Sequence, residues 1–137
     1  MLDYLTIHGV KGASEVKKDR EISVPLCECE EIHGDVVARG RAALPADDVI
    51  YGLSDFFKVF GDPTRLNILF ALEGGPMCGC DLSGALGMTK AAVSYQLKIL
   101  RQNDLVRPRK QGRNVLYELS DDHVRDIIEK ALEHIKE

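Results

Sequence analysis

Four cysteines arranged as two Cys-x-Cys pairs are the residues of this sequence best suited to chemistry. Cys27 and Cys29 form one pair, and Cys78 and Cys80 form the other. In a reducing compartment, such pairs serve as metal ligands or redox groups more often than as structural disulfides. Thiolates favour soft or borderline ions such as cadmium, lead, zinc and copper(I). The pairs therefore indicate a four-sulfur metal site or a thiol redox site, and composition alone does not choose between them. The plainer alternative is that Cys78 is a small buried apolar residue and that the presence of Cys27 and Cys29 as a pair is incidental.

Two histidines near the end of the chain form a second candidate set. His123 and His134 are eleven residues apart, which on one helix places them within about 20° of each other but about 16 Å apart along the axis. Ligands held at about 2 Å from one ion cannot span that separation. Two antiparallel copies in a symmetric dimer would bring His123 of one chain to His134 of the other, twice over. On the pattern alone, an exposed helix face with two ordinary surface histidines is the simpler interpretation.

The charge distribution predicts one localised contact with a polyanion. The whole chain has a formal net charge of -4, which argues against general stickiness for nucleic acid. Residues 88–119 nevertheless contain seven basic and two acidic side chains, a local charge of +5. A basic face on an acidic protein is typical of a single nucleic-acid surface.

The elements that must position these residues follow from periodicity and capping signals. Residues 1–46 are polar and contain many Gly and Pro residues, so we expect a flexible arm with one short helix near residues 30–41. Residues 47–137 are expected to form the folded domain. Its first helix opens at Asp47, and a second follows with Asp62 as the cap and Pro63 at the first helical position.

The centre of this domain is predicted to be a helix-turn-helix followed by a basic β-hairpin. Thr89 caps the second helix of the motif, and Val93, Leu97 and Leu100 share one face of it. The outward residues of that helix are expected to contact a DNA groove: Lys90, Ser94, Tyr95 and Lys98. The two strand-like runs meet around Gln111-Gly112, with Lys110 and Arg113 expected to contact phosphate.

The predicted fold class is therefore mainly α with a small β-hairpin, a winged helix-turn-helix. The last segment, residues 121–137, is predicted to be an amphipathic helix. We expect a homodimer in which residues 49–60 and 124–132 pack across the two-fold axis, because so small a domain hardly provides partners for both apolar helices. The two reading helices of such a dimer would meet major grooves about one turn apart, or a multiple of it, on an imperfect palindrome.

Three stretches of the sequence resemble the ArsR/SmtB family of metal-sensing repressors. They are FGDPTRLNILFAL, MCGCDLSGALGMTKAAVSYQLKIL and GRNVLYELSDDHVRDIIEKALEHIKE, and they occur in the family's order and spacing. The resemblance extends from about Val49 to the last residue. The four cysteines make the chain most similar to the CadC-type branch, which senses cadmium and lead.

This resemblance implies a homodimeric repressor that binds operator DNA without metal and dissociates on binding Cd(II), Pb(II) or Zn(II), so that metal-resistance or efflux genes are expressed. It implies a thiolate site formed by Cys27, Cys29, Cys78 and Cys80. It also implies an interfacial zinc site in which Asp121 and His123 of one chain meet His134 and Glu137 of the other. The protein is expected to be cytoplasmic, because no apolar run approaches the roughly 20 residues of a membrane helix.

The sequence departs from the family pattern at several positions. Ala91 stands where a hydroxyl residue is common, and Tyr95 where a histidine is common, so the operator contacts are expected to differ. Ser83 stands where arsenic sensors tend to have a third cysteine, which argues against trivalent arsenic at that site. The arm motif LCECEEIHGD is tighter than in typical cadmium sensors and leaves open which of Cys27, Cys29 and His33 coordinate.

Other function classes explain the sequence less well. An enzyme is disfavoured because the chain has no phosphate-binding Gly-rich loop, no nucleophile elbow and no His-Glu-x-x-His run. A metal chaperone without DNA contact leaves the reading helix and the basic hairpin unexplained. A thiol redox-sensing repressor on the same fold uses the same cysteines, and it remains the alternative.

Overall fold

The computed structural model describes residues 22–137, so the first 21 residues of the predicted arm lie outside it. Residues 22–33 have no regular secondary structure and are exposed. The elements that follow are α1 (Gly34–Ala43), α2 (Asp47–Phe60), α3 (Pro63–Glu73), β1 (Met77–Cys78), α4 (Gly79–Leu86), α5 (Lys90–Gln102), β2 (Val106–Gln111), β3 (Asn114–Leu119) and α6 (Asp122–Lys136). The chain divides into two compact units, one up to Leu53 and one of Ser54–Glu137.

The predicted helix caps are present in the structure. The Asp62 carboxylate accepts a hydrogen bond from the Arg65 backbone N–H at 2.9 Å, with Pro63 at the first position of α3. The Thr89 hydroxyl accepts one from the backbone N–H of Ala92 at 3.1 Å, at the start of α5. Each cap satisfies a backbone donor that the first turn of a helix leaves free. These caps fix where α3 and α5 begin.

The hydrophobic core lies within the second unit. Its fourteen buried side chains are Val59, Phe60, Ile68, Leu69, Leu72, Leu82, Val93, Leu97, Leu100, Leu105, Val106, Leu119, Val124 and Ile128. Every helix of this unit and both long strands contribute to it. Each such apolar side chain contributes about 1.5–3 kcal/mol when it is fully removed from water. The core therefore holds α3, α4 and α5 against the sheet.

The sheet has three antiparallel strands in the order β1-β3-β2. Met77 pairs with Tyr117 and Cys78 with Leu116, so the short β1 lies beside the second strand of the hairpin. The hairpin turn is formed by Gly112 and Arg113, one residue later than the sequence indicated, and Gln111 pairs with Asn114. Gly112 has a φ of 63°, and a two-residue hairpin turn requires a positive φ at this position. The predicted winged helix-turn-helix fold is confirmed, and β1 is an addition that the sequence did not reveal.

The apolar stripe of α6 is divided between two environments. Val124 and Ile128 are buried in the core of their own chain, whereas Leu132 and Ile135 are exposed. The expectation that residues 124–132 face a second copy is therefore wrong for Val124 and Ile128, which close the core of their own chain. The exposed apolar side chains of α6 lie toward its end. Within residues 22–137, no helix is long and apolar enough to cross a membrane.

Arg125 connects α6 to the end of α3. Its Nη1 donates to the Glu73 carbonyl oxygen at 3.0 Å and lies 3.9 Å from Glu73 Oε1. Glu129 lies one turn further along α6. A hydrogen bond with the Glu73 side chain raises the pKa of Glu129, and desolvation and the negative charge of Glu73 act in the same direction. A carboxyl whose pKa is raised by folding favours the folded state in acid, and this contribution is lost as the pH rises through the folded pKa.

We therefore expect Glu129→Gln to raise Tm at pH 7 by about 1 °C, because the amide keeps a hydrogen-bond donor for Glu73 without the charge repulsion. The difference from the wild type should shrink below pH 4.5, where Glu129 becomes protonated in both the folded and unfolded states. Thermal unfolding followed by circular dichroism between pH 4 and pH 8 measures it. A Tm difference that does not depend on pH would contradict the assignment.

Candidate metal centres and nucleic-acid interface

The second helix of the helix-turn-helix, α5, presents a polar face to solvent. Val93, Leu97 and Leu100 are each 4% exposed or less, which fixes the rotation of the helix about its axis. The four side chains predicted to read DNA are all exposed: Lys90, Ser94, Tyr95 and Lys98. Tyr95 is a large side chain with 64% exposure. The helix thus offers two ammonium groups and two hydroxyl groups, all free to reach a groove.

The turn between α4 and α5 is held by its own hydrogen bonds. Gly87 ends α4 in the left-handed region at a φ of 63°, where a Cβ atom is unfavourable. The Met88 backbone N–H donates to the Ser83 carbonyl oxygen at 3.1 Å, and the Ser83 hydroxyl donates to the Met88 carbonyl oxygen. Ser83 therefore fixes the turn, so the position where arsenic sensors tend to have a cysteine has a structural task in this chain.

The hairpin of β2 and β3 is the wing of the winged helix. Among the described residues, its cations without an ion-pair partner lie at its tip. On the paired strands, Arg107 Nε lies 2.8 Å from Glu118 Oε1 and Arg109 Nη1 lies 3.5 Å from Glu118 Oε2. Lys110 and Arg113 are exposed, and no ion pair among the described residues involves either of them. The role of Glu118 was not among the predictions from the sequence. Its position across the hairpin from Arg107 was the available signal, since opposite charges on paired strands interact.

Cys78 and Cys80 lie where the sheet joins the helix-turn-helix. Cys78 is the last residue of β1 and the N-cap of α4, and its Sγ accepts a hydrogen bond from the Asp81 backbone N–H at 3.4 Å. It is half-buried, whereas Cys80, in the first turn of α4, is exposed. Both sulfurs thus lie at the N-terminal end of α4, two residues apart in sequence.

Cys27 and Cys29 lie in the extended segment of the first unit, and both are exposed. A hydrogen bond between their side chains lowers the pKa of Cys27 and raises that of Cys29. The two thiols of the pair are thus unequal, and Cys27 is the one whose pKa is lowered. His33 is the N-cap residue of α1, and its side chain makes no capping hydrogen bond.

The four residues of the second candidate set form two pairs, one at each end of α6. Asp121 caps the helix through Oδ1, which accepts from the Val124 N–H at 3.1 Å, while its Oδ2 lies 3.6 Å from His123 Nδ1. At the other end, His134 Nδ1 lies 3.9 Å from Glu137 Oε2. All four side chains are exposed, His123 by 88%. Each end of the helix thus provides one imidazole and one carboxylate.

Neither candidate set forms a complete ligand cluster within one chain. Among residues 22–137, no three Cys, His, Asp or Glu side chains come together in a group that could hold a metal ion. The cysteine pairs belong to different units of the chain, and the α6 pairs lie at opposite ends of one helix. Within the described residues, the structure therefore shows separate donor pairs and no assembled site: two pairs of thiols, and two pairs that each combine an imidazole with a carboxylate.

Comparison with known proteins identifies the family. The family model described as bacterial regulatory protein, arsR family, matches residues 62–107. A transcriptional repressor SmtB homolog of Synechocystis is 36% identical over 114 residues, covering 83% of this chain and 86% of that protein. A cadmium resistance transcriptional regulatory protein CadC homolog of Staphylococcus aureus is 33% identical over 113 residues, covering 82% and 93%.

A solved structure agrees with these relatives. The crystal structure of AntR, an antimony-specific transcriptional repressor, matches with a TM-score of 0.61 at 34% identity and covers 68% of this chain and 85% of its own. The likeness thus extends over most of each protein, in sequence as well as in fold. The chain therefore belongs to the arsR family of bacterial regulatory proteins, and the enzymatic alternative raised by its cysteines and histidines is set aside.

Proposed function

We propose that this protein is a metal-responsive transcriptional repressor of the bacterial cytoplasm. In this proposal a homodimer binds operator DNA without metal and dissociates when Cd(II), Pb(II) or Zn(II) binds, so that metal-resistance or efflux genes are expressed. The observation that carries it is the exposed face of α5 beside a wing whose uncompensated charges are at its tip. The repressor, cadmium-resistance and antimony-specific relatives support metal-dependent regulation.

DNA recognition is divided between α5 and the wing. Ser94 and Tyr95 offer hydroxyl groups that donate to and accept from base edges, while Lys90 and Lys98 add charge on the same face. Lys110 and Arg113 bind phosphate, which supplies affinity and salt dependence without sequence information. Because Glu118 lies close to both Arg107 and Arg109 and offsets one of their two charges, the wing contributes fewer phosphate contacts than its four cations suggest.

The second copy of this chain covers the apolar surfaces that one copy leaves exposed. On α2, Val49, Ile50, Leu53 and Phe57 are large, exposed side chains at helical spacing. On α6, Leu132 and Ile135 are exposed beyond the turns that the core uses. Apolar residues repeated along a helix face are typical of a helix that packs against another helix. A two-fold dimer uses the same surface on each copy and needs no other partner.

Metal binding is assigned to two kinds of site. The thiolate site combines Cys78 and Cys80 with the arm pair Cys27 and Cys29, whose donors suit soft ions. The interfacial site combines the Asp121 and His123 end of α6 with the His134 and Glu137 end of the partner's α6. Such nitrogen and oxygen donors suit zinc. Cadmium and lead therefore act through the thiolates, while zinc also uses the interfacial set.

Metal binding and operator binding are coupled through the geometry of the dimer. A metal ion that joins the arm to Cys78 and Cys80 constrains the start of α4, which belongs to the DNA-reading unit. If the metal-bound dimer holds its two α5 helices at a spacing that does not match successive grooves, metal and operator become antagonistic. A typical coupling of 1–3 kcal/mol weakens operator binding by roughly 5- to 150-fold, and DNA weakens metal binding by the same factor.

Operator affinity of the reduced protein, titrated with a panel of metals, tests this proposal most directly. The wild type is compared with a variant lacking the arm cysteines and with a variant lacking His123 and His134. Loss of the metal response in one variant only would identify the regulatory site. A wild-type affinity that no metal changes would refute the proposal.

A thiol redox-sensing repressor is the second candidate function. The lowered pKa of Cys27, caused by its hydrogen bond with Cys29, favours the thiolate that reacts with peroxide or with a disulfide. Two measurements separate the candidates. A metal sensor shows sulfur-to-metal charge-transfer absorption and operator release with cadmium under reducing conditions, whereas a redox sensor releases its operator with peroxide and no metal.

The wing assignment makes a prediction about salt dependence. We expect Lys110→Ala and Arg113→Ala each to weaken binding to all sequences almost equally, and to lower the slope of log affinity against log salt by about one unit. Lys130→Ala is the matched control, because this exposed lysine lies on α6 away from the wing. Fluorescence anisotropy at several salt concentrations provides the slopes. Unchanged slopes in both wing variants would disprove the phosphate contacts.

Cys78→Ser separates the sensing role of Cys78 from its capping role. Serine also caps helices, so α4 should remain intact and metal-free operator binding should stay within about twofold of the wild type. Cadmium-driven release should be lost, because the hydroxyl is a poor ligand for a soft ion. His123→Ala should instead reduce the response to zinc more than the response to cadmium. If Cys78→Ser still releases DNA at the wild-type cadmium midpoint, the thiolate site is not the sensor.

The dimer surface is tested by introducing a charge on α2. Leu53 is 44% exposed, and Leu53→Glu should weaken dimerisation by about tenfold or more, because the carboxylate must be desolvated at the interface. Tyr51→Glu is the control, since Tyr51 is exposed on a different face of the same helix. Sedimentation equilibrium at micromolar concentration measures both. A wild-type protein that is monomeric under these conditions would overturn the dimer.

A further inference from the structure

Arg65, in the first turn of α3, makes side-chain hydrogen bonds with two other helices. Its Nε donates to the Val59 carbonyl oxygen at 2.8 Å, near the end of α2. Its Nη1 donates to the Gln96 side-chain oxygen at 3.3 Å, on α5. Its own backbone N–H is held by the Asp62 cap. One guanidinium group therefore joins the helix assigned to dimerisation with the helix assigned to DNA recognition.

The contact with α2 is made where that helix has an unsatisfied acceptor. Val59 is the second-last residue of α2, and the last four carbonyl groups of a helix have no partner within it. A charged donor near a helix C-terminus also interacts favourably with the helix dipole. Arg65 is half-buried, so water competes less for this carbonyl than it would at a fully exposed helix end.

The hydrogen bond from Arg65 to α5 is made at the edge of the solvent-exposed face of that helix. Gln96 is half-buried and lies between the exposed Tyr95 and the buried Leu97. Its oxygen is engaged by Arg65, so the side chain is held toward α3 and away from the groove-facing residues. None of the DNA contacts assigned above uses Gln96. The position of the Gln96 side chain thus depends on how α5 packs against α3.

We propose that Arg65 is a positioning residue that couples the end of α2, the helix assigned to dimerisation, to the recognition helix, so that a metal-dependent change in the dimer reaches the DNA-reading surface. The proposal rests on the function proposed above. A guanidinium is planar, and its N–H groups point in fixed directions. Movement of the Val59 carbonyl group therefore turns the Arg65 guanidinium, which also binds Gln96. The helix α5 must then move with it, or the hydrogen bond to Gln96 is lost. Arg65 acts on DNA binding only through Gln96.

The readout that tests this proposal is the ratio of operator affinities without and with cadmium. Gln96→Leu removes the acceptor with little change in size, and Arg65→Lys keeps the charge but loses the fork. Each is expected to reduce the ratio by about 2- to 30-fold, with cadmium stoichiometry and dimer mass unchanged. Because both act on one hydrogen bond, the double variant should lose no more than either single variant.

Two further variants make the test specific. Gln96→Glu keeps an acceptor for Arg65 and is expected to retain the wild-type ratio, even if its charge weakens operator binding in both states. Asn103→Leu removes a different side-chain hydrogen bond on α5, in which Nδ2 donates to the Ile99 carbonyl oxygen at 2.8 Å. It should leave the ratio unchanged, because that bond does not reach α2.

The outcomes distinguish this proposal from the one on which it rests. A wild-type ratio of one would refute the proposed metal response itself. A wild-type response that persists in full in Gln96→Leu and Arg65→Lys would overturn the role of Arg65 alone. An equal loss in Asn103→Leu would also overturn it, since the effect would then be a general loosening of α5.

Discussion

The burial of one side of α5 is the constraint on which the rest of the structure depends. A helix of thirteen residues is marginal by itself in water, so its orientation must come from tertiary packing. Val93, Leu97 and Leu100 provide that packing, and they also determine which side chains remain outside. The helices α3 and α4 and the inner faces of β2 and β3 supply the surface that they fill. The DNA-reading surface is what this core leaves exposed.

The sequence predicted the features that depend on neighbouring residues. The Asp62 and Thr89 caps and the hairpin are local, because each is specified within a few positions. The strand β1 was missed because two residues have no periodicity and its partner lies in β3, about forty residues away. The stripe of α6 was read as one surface for the same reason, since spacing does not show whether Val124 faces its own core or another chain. The metal sites remain predictions because their halves lie in different units or at opposite ends of a helix.

Acidic side chains offset much of the positive charge of this protein. The formal net charge is -4 although residues 88–119 are strongly basic, and Glu118 offsets one of the two charges of Arg107 and Arg109 on the wing. The positive charge that remains in this segment is concentrated on α5 and at the hairpin tip. Such a concentration of cations favours one orientation on a duplex.

The use of cysteine as the N-cap of α4 has a consequence for which side chains position 78 can accept. An N-cap must only accept a hydrogen bond from a backbone N–H, and Ser, Thr, Asp and Asn do so at least as well. The soft donor at position 78 is thus exchangeable for a hard one by a single substitution without loss of the helix. Because the fold does not require sulfur there, the chemistry of this side chain can change while the helix-turn-helix that it precedes stays the same.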